Sequence, residues 1–348
     1  MPNARATHLT RRGILAAGGA LGLGAALTAC GDDDAKSGGS DDGTAAAKSG
    51  PWSFKDDRGK TVELDKVPTN LVAFTGVAAA LWDYGVQVKG VFGPTTTKDG
   101  KPDVQAGDLD VGKVTVLGNE WGKLNVEKYA ALAPELLITT TFDTAGTLWS
   151  VPEESKDKVA KLAPSVAISV FDRQLTQPLQ RMWELAESLG ADMKAKKVTD
   201  AKAAFEKAAA RLRAAAKAKP EIRVLAGSAS AELFYVSGTN LSVDLEYFKA
   251  LGVNFVEPSE EAKKATGGWF ESLSWENVDK YPADIIIMDD RASTIQPTDI
   301  TEGTWKQLPA VKAGQVIARS PEPILSYDKC TPLLDNLAEA IENAKKVG

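Results

Sequence analysis

The sequence predicts an α/β fold of two related lobes with mainly parallel sheets, joined by a single long α-helix. The first observation is a repeat, because residues 124–138 and 273–287 both place a short helical segment before an apolar strand. The second is the alternation of strand and helix patterns along both halves of the chain. The third is a run rich in Ala, Lys, Arg and Glu at residues 199–217, which contains no helix breaker and is closed by Pro220.

Each copy of the repeat carries an acid in the predicted first turn of its helix. Asn125 and Ser274 are the predicted N-caps, and Glu127 and Glu276 follow two residues later. Such an acid complements the helix dipole by roughly 0.3–1 kcal/mol, which is sufficient to explain either glutamate alone. Its recurrence at equivalent places on two lobes indicates a further role.

The elements of the N-terminal lobe, residues 51–190, follow from short apolar runs separated by helical periodicity. Strands are predicted at residues 71–74, 88–92, 136–140 and 166–170, and helices at 77–84, 126–132, 153–162 and 178–189. The connecting helix lies within residues 191–219. In the C-terminal lobe, residues 220–348, strands are predicted at 222–226, 285–288 and 316–318, and helices at 243–251 and about 332–345.

Residues 1–30 have the anatomy of an export signal. Arg11 and Arg12 resemble a twin-arginine start, and the apolar stretch 13–27 is too short to span a bilayer stably. The segment 27–30, Leu-Thr-Ala-Cys, resembles a bacterial lipobox that leaves Cys30 as a diacylated first residue. Residues 31–50 are predicted to be a flexible linker. We therefore expect an exported protein, lipid-anchored at the outer face of the cytoplasmic membrane and not spanning it.

Composition excludes several classes of function. The single histidine, His8, lies in the signal, so the mature chain has no imidazole for a zinc site or a Ser-His-Asp triad. Cys330 has no partner for a disulfide if Cys30 carries lipid. Removing the signal takes away three arginines and no acids, which changes the formal net charge from −6 to −9. Nucleic acid is therefore not an expected partner.

Over residues 65–340 the chain resembles the periplasmic and lipoprotein binding components of ABC importers for ferric siderophores and cobalamin. The resemblance depends on the order of several short motifs, which are residues 67–74, 81–91, 111–118, 125–138, 273–287 and 305–316. It implies two Rossmann-like lobes joined by one long helix, with a ligand cleft between them. It also implies that Glu127 and Glu276 dock onto arginines of the two permease subunits.

The predicted cleft residues come from loops beyond the carboxyl ends of the strands, where open α/β sheets bind ligands. They are Trp121, Phe142, Tyr235, Trp269, Arg291, Arg319 and Tyr327. Of these, Trp121 and Trp269 align with ligand-contacting positions in the hydroxamate-siderophore binders of the family. The alternatives are core packing for the aromatic residues, and ion pairs of the arginines with Asp289, Asp290 or Glu322.

An aromatic cleft with few cations favours a nearly neutral ferric hydroxamate over a highly anionic ferric catecholate. The hydroxamate binders of the family can carry an arginine where this chain has Trp121, so the guanidinium here must come from Arg291 or Arg319. Iron arrives inside its chelator, so no protein metal ligand or other cofactor is expected, and the binding protein is expected to be a monomer.

Three other functions remain open at this point. Cobalamin or another large chelate would use the same fold. An enzyme on this scaffold is disfavoured because no acid, base and nucleophile cluster together in the sequence. A surface scaffold would bind no small ligand.

Overall fold

The computed structural model describes residues 50–348. The predicted signal, Cys30 and all of the predicted linker except Gly50 lie outside the described residues. Within this range, no helix combines the length and the apolar character that crossing a bilayer requires.

The first lobe contains seven strands and four α-helices. Its strands are β1 (Trp52–Lys55), β2 (Thr61–Leu64), β3 (Leu71–Phe74), β4 (Gly90–Phe92), β5 (Thr115–Gly118), β6 (Leu136–Thr141) and β7 (Ser165–Ser169). Its helices are α1 (Thr75–Asp83), α2 (Val126–Ala131), α3 (Lys156–Leu162) and α4 (Thr176–Ser188). Strands β3 to β7 form a parallel sheet in the order β5-β4-β3-β6-β7, and β1 and β2 form an antiparallel hairpin.

The central strands of this sheet form because their sequences are continuous apolar or β-branched runs. Every residue of β3 and β6 is buried, as expected of a parallel sheet with both faces covered. Helix α2 begins as predicted, since the Asn125 side chain accepts a hydrogen bond from the Lys128 backbone N–H at 2.9 Å. Glu127 lies in its first turn.

The lobes are joined by helix α5 (Lys196–Ala218). The second lobe continues with β8 (Arg223–Ala229), β9 (Leu233–Ser237), α6 (Val243–Ala250), β10 (Asn254–Phe255), α7 (Glu260–Lys263), β11 (Phe270–Ser274), β12 (Ile285–Asp289), α8 (Gly303–Gln307), α9 (Pro309–Lys312), β13 (Val316–Arg319) and α10 (Tyr327–Asn343). Helix α10 returns to pack along α5, and the two helices share one hydrophobic core with the first lobe.

The second sheet is mixed rather than uniformly parallel. Its order is β11-β9-β8-β12-β13, with β10 also pairing with β8. Strands β8, β10, β12 and β13 are parallel, whereas β9 and β11 pair antiparallel to their neighbours. Two α/β lobes joined by a long helix confirm the predicted fold class, and the antiparallel edge is the difference.

The second copy of the repeat differs from its prediction in local structure. Residues Trp275–Asn277 form a single 3₁₀ turn directly after β11, and Ser274 makes no side-chain cap. The reason lies in Trp275, whose buried indole donates a hydrogen bond from Nε1 to the Ala231 carbonyl at 3.1 Å and so fixes the turn against the sheet. Glu276 is therefore displayed by a turn, whereas Glu127 is displayed by a helix.

Candidate ligand-binding site

A cavity of about 510 Å³ lies at the carboxyl ends of the parallel strands and is lined by both lobes. This volume is within the roughly 300–1,000 Å³ of small-molecule sites. A narrower recess of about 40 Å³ adjoins it, sharing Phe142, Trp269 and Glu322 and reaching Phe74 and Gly76. The larger space is lined by Phe142, Asp143, Thr147, Trp149, Ser228, Ser237, Ser242, Trp269, Phe270, Asp289, Arg291, Arg319, Pro321 and Glu322.

Aromatic rings from both lobes meet at this cavity. Phe142, which follows β6, lies 4.5 Å from Trp149 and 6.4 Å from Trp269 between ring centroids. Trp269, which precedes β11, also lies 6.3 Å from Phe171 of the first lobe. These separations are typical of interacting aromatic pairs, so the rings close one side of the cavity across the two lobes.

Two hydrogen bonds between the Trp149 backbone and β6 fix the position of this residue. Its N–H donates to the Thr140 carbonyl at 2.9 Å, and its carbonyl accepts from Thr139 Oγ1 at 2.9 Å. The indole Nε1 then donates to Glu322 Oε2 of the second lobe at 3.0 Å. The side chain is therefore both part of the cavity wall and a polar contact between the lobes.

Arg291 projects into the cavity between two carboxylates. Its Nε and Nη2 donate to Asp289 at 3.0 and 2.6 Å, and its Nη1 donates to Glu322 Oε1 at 2.5 Å. The guanidinium carbon lies 5.9 Å from the ring centroid of Trp121, within cation–π range. Although burial acts to lower it, Asp289 and Glu322 raise the pKa of Arg291.

Arg319, the last residue of β13, lines the cavity and is largely buried. Its Nε and Nη2 donate to the two oxygens of Asp244 on α6, at 2.7 and 2.9 Å. The bidentate geometry holds the guanidinium in one orientation. Both arginines that reach the cavity are thus already neutralised by acids.

Glu322 is the acid at the cavity whose pKa is raised by burial. Arg291 and the Trp149 indole only partly oppose this effect. Together with Asp143, Asp289 and Asp244, it gives the cavity and its immediate support four carboxyl groups against two arginines.

Four of the seven predicted cleft residues line the cavity, namely Phe142, Trp269, Arg291 and Arg319. Trp121 lies beside Arg291 instead, and its indole acts with that of Trp149 to oppose the raised pKa of Glu322. Of the predicted alternatives for the arginines, pairing of Arg291 with Asp289 and Glu322 is observed. Arg319 pairs with Asp244, which the sequence reading did not name.

The two predicted tyrosines are not among the residues that line the cavity. Tyr235 packs against Phe270 at 5.2 Å and donates its hydroxyl to Ser230 at 3.2 Å, so it supports the lining residue Phe270. Tyr327 begins α10 and is buried, with its ring 5.3 Å from Phe205 of α5 and 5.7 Å from Trp183. Tyr327 thus serves the packing of the connecting helix.

Sequence reasoning missed Trp149 and Asp143 and treated Glu322 only as an arginine partner. Asp143 follows β6 closely, and Glu322 comes three residues after the end of β13. The rule that ligands lie beyond the carboxyl ends of strands therefore selects both, and both were passed over in favour of aromatic residues. Trp149 lies further along the loop, and its position depends on hydrogen bonds to β6.

A second large space, of about 710 Å³, lies in the second lobe between the sheet and helices α8 and α9. Its lining includes Leu225, Phe234 and Ile286, and it contains no arginine or lysine. Size alone would select this space. The interlobe cavity is the better candidate because its polar groups converge at the carboxyl ends of the strands.

Glu127 and Glu276 are both exposed, and within residues 50–348 neither forms an ion pair. The pKa of Glu276 is lowered by hydrogen bonds from its own backbone N–H and from Ser274. Both carboxylates are available to an external partner.

The chain belongs to the periplasmic binding protein family, whose sequence profile matches residues 72–323. It is a substrate-binding protein rather than an enzyme, and the predicted resemblance is confirmed.

A crystal structure of DesE, a ferric-siderophore receptor protein from Streptomyces coelicolor, is 95% identical to this chain, covers 85% of this chain and 100% of its own, and has a TM-score of 0.85. Two more distant structures share the fold. The siderophore periplasmic binding protein from the fuscachelin gene cluster of Thermobifida fusca is 21% identical over 79% of this chain and 96% of its own, with a TM-score of 0.56. Staphylococcus aureus SirA, complexed with staphyloferrin B, is 20% identical over 84% and 99%, with a TM-score of 0.58. No curated protein matches the chain significantly.

Proposed function

We propose that this protein captures a ferric siderophore outside the cytoplasm and delivers it to an ABC importer. The observation that carries the proposal is the 95% identity to a ferric-siderophore receptor over 85% of the chain. The interlobe cavity supplies a site of suitable size and polarity.

A hydroxamate chelate fits the cavity chemistry. A ferric tris-catecholate is highly anionic and requires several cations that are free to bind it. Arg291 and Arg319 are instead paired with Asp289, Glu322 and Asp244. A nearly neutral ferric hydroxamate can lie against Phe142, Trp149 and Trp269 and accept hydrogen bonds from the outer N–H groups of Arg291. Iron stays within its chelator, so no cofactor of the protein is invoked.

We also propose how the protein is held and how it docks. Lipidation at Cys30 would tether a monomer to the outer face of the cytoplasmic membrane. Glu127 and Glu276 would contact basic residues on the two permease subunits, because two separated charge-assisted contacts fix orientation as well as affinity.

The function is tested by tryptophan-fluorescence titration of the chain that begins after Cys30. The ligands are a ferric trihydroxamate, a ferric tris-catecholate, cobalamin and free ferric iron. We expect saturable quenching by the trihydroxamate, weakened at least tenfold in Trp269→Ala, because truncating a central aromatic contact typically costs more than about 1.4 kcal/mol. Trp82→Phe is the matched control, since Trp82 lies on α1 and does not line the cavity.

Three other results of the titration would change the proposed function or the proposed site. Tight binding of cobalamin alone would replace the siderophore proposal with cobalamin capture. Absence of binding by every ligand would support a surface scaffold. Equal weakening by Trp269→Ala and Trp82→Phe would place the ligand outside the interlobe cavity.

A further inference from the structure

Glu322 is a largely buried acid that lines the ligand cavity. It lies in the segment between β13 and α10, lines both parts of the cavity, and its side chain is only 10% exposed. The Gln105 side chain of the first lobe donates to the Glu322 backbone carbonyl at 3.0 Å, which fixes the segment. A buried acid at a ligand cavity has a high desolvation cost, so its contacts must explain why it is there.

Those contacts engage both carboxylate oxygens. Oε1 accepts from Arg291 Nη1 at 2.5 Å, and Oε2 accepts from Trp149 Nε1 at 3.0 Å. Arg291 is already paired with Asp289 through Nε and Nη2. One carboxylate is sufficient to balance one guanidinium, so Glu322 adds a negative charge beyond what Arg291 needs.

The second arginine does not restore the balance. Arg319 is paired with Asp244 at 2.7 and 2.9 Å, and Asp143 adds a further acid to the lining. An incoming anion would have to approach Glu322 closely in order to reach the outer N–H groups of Arg291, which neither acid occupies. A neutral chelate would not meet this repulsion.

We propose that Glu322 is a charge filter that makes the cavity reject highly anionic ferric chelates while admitting neutral ones. The inference rests on the proposed function and extends it to the basis of selectivity. Glu322 acts by repulsion, and Trp149 is a positioning residue that holds the carboxylate toward the cavity.

The test compares wild type with Glu322→Gln, which keeps the shape and one acceptor oxygen, enough for either Trp149 or Arg291 but not both, and removes the charge. Dissociation constants are measured for a neutral ferric trihydroxamate and a trianionic ferric tris-catecholate. We expect the tris-catecholate to bind roughly tenfold or more tightly to the variant, because a unit charge within several ångströms acts on it through a partly buried medium. Trihydroxamate affinity should change by less than about threefold, a difference well under 1 kcal/mol.

Two further variants distinguish the local charge of Glu322 from the net charge of the protein and from the hydrogen bond that positions the carboxylate. Glu63→Gln changes the net charge equally but lies on the exposed face of β2, and it should leave both affinities unchanged. Trp149→Phe retains the aromatic ring but removes the N–H that holds Oε2, and it should weaken the filter less than Glu322→Gln does.

The ratio of tris-catecholate affinity to trihydroxamate affinity should also depend on pH more steeply in wild type than in Glu322→Gln. Burial raises the pKa of Glu322, so acid neutralises this residue before an ordinary glutamate. The other charged groups at the cavity, Asp143, Asp289, Arg291, Arg319 and Asp244, are common to both proteins, and so is any titration of the chelates. Lowering the pH should therefore bring the wild-type ratio toward that of the variant.

Equal weakening of both chelates in Glu322→Gln would overturn the filter and leave Glu322 a structural role. Unchanged affinities would overturn it as well. Failure of the proposed function has a different signature, since wild type itself would then bind neither chelate, and this inference would fail with it.

Discussion

Glu135 and Asp284 stand at the same place in the two repeats, immediately before the buried strands β6 and β12. Glu135 Oε2 accepts the backbone N–H groups of Thr69 and Asn70, at 2.8 and 2.9 Å, and Asp284 Oδ2 accepts that of Arg223 at 2.8 Å. Each acid thus satisfies donors at the start of the neighbouring strand, β3 or β8. The repeat therefore carries a structural acid in addition to the exposed Glu127 and Glu276.

Asp284→Asn should destabilise the protein by about 2 kcal/mol at pH 7. Although burial acts to raise it, Lys346 and the backbone N–H groups of Arg223, Gly348 and Val347 lower the pKa of Asp284 to about 2. This is below its unfolded value of about 3.9, so the stabilisation is complete above pH 4 and is lost as the pH falls toward 2.

Urea unfolding followed by circular dichroism at pH 7, 5 and 3 measures this difference. The difference in free energy of unfolding between wild type and Asp284→Asn should be constant between pH 7 and 5 and smaller at pH 3. Asp279→Asn, at an exposed neighbouring position, should have the same free energy of unfolding as wild type. If the difference between wild type and Asp284→Asn did not change with pH, the role assigned to the carboxylate charge would be wrong.

Individual site residues were predictable to the extent that they follow strand ends. Phe142, Arg291 and Arg319 were selected in this way and line the cavity, whereas Trp269, which precedes β11, also lines it and was favoured through the family resemblance. Tyr327 was misplaced because the start of α10 was expected near Pro332, five residues too late. The hydroxyl of Ser326 accepts from the Lys329 N–H at 3.2 Å and caps the earlier start, so Tyr327 is helical and buried.

At the scale of elements, the pairing of α5 with α10 is the main link between the lobes. Leu212 of α5 and Leu334, Leu337 and Ile341 of α10 are buried in one core. At the edge of this interface, Arg211 pairs with Asp335 and Glu342, at 3.2 and 2.6 Å, with about 40% of each side chain exposed. Apolar burial should therefore outweigh the ion pairs in holding the two helices together.

Leu212→Ala should lower the free energy of unfolding by about 2–5 kcal/mol, the range for truncating a buried leucine. Arg211→Met should lower it by less than about 1 kcal/mol, since half-exposed ion pairs are screened by solvent. Denaturant unfolding of both variants at neutral pH compares them directly. A larger loss in Arg211→Met than in Leu212→Ala would show that charge dominates this interface.

Secondary-structure elements were predictable where a single hydrophobic pattern extended over the whole segment. The apolar runs 71–74 and 136–140 correspond to β3 and β6 because a parallel central strand is buried on both faces. Strands β9 and β11 were missed for different reasons. The edge strand β11 is partly exposed and carries no continuous apolar run, whereas β9 is a short run whose burial alternates and which a sequence pattern alone does not assign to a sheet. Their antiparallel pairing is decided by tertiary contact, which short-range pattern does not encode.

At the scale of the molecule, the exposed pair Glu127 and Glu276 is the predicted contact with the importer. The double variant Glu127→Ala/Glu276→Ala should retain siderophore affinity but lose most siderophore-dependent uptake, because neither residue lines the cavity. Radiolabelled ferric-chelate uptake in cells and titration of the purified variant measure the two effects separately.

Glu120→Ala/Glu221→Ala is the matched control, since both of these glutamates are exposed and lie outside the cavity. It should leave uptake and affinity unchanged. Normal uptake by Glu127→Ala/Glu276→Ala would refute the docking role.

The packing of α10 along α5 also has a thermodynamic consequence for ligand capture. Because the two helices pack in one core, we expect them to form a stiff support and the free protein to sample a narrow range of lobe orientations. Little conformational entropy then remains to be lost when a chelate enters, and more of the contact energy appears as affinity. The same stiffness limits how much the outer surface can change between empty and loaded forms, so an importer must discriminate between them through small displacements.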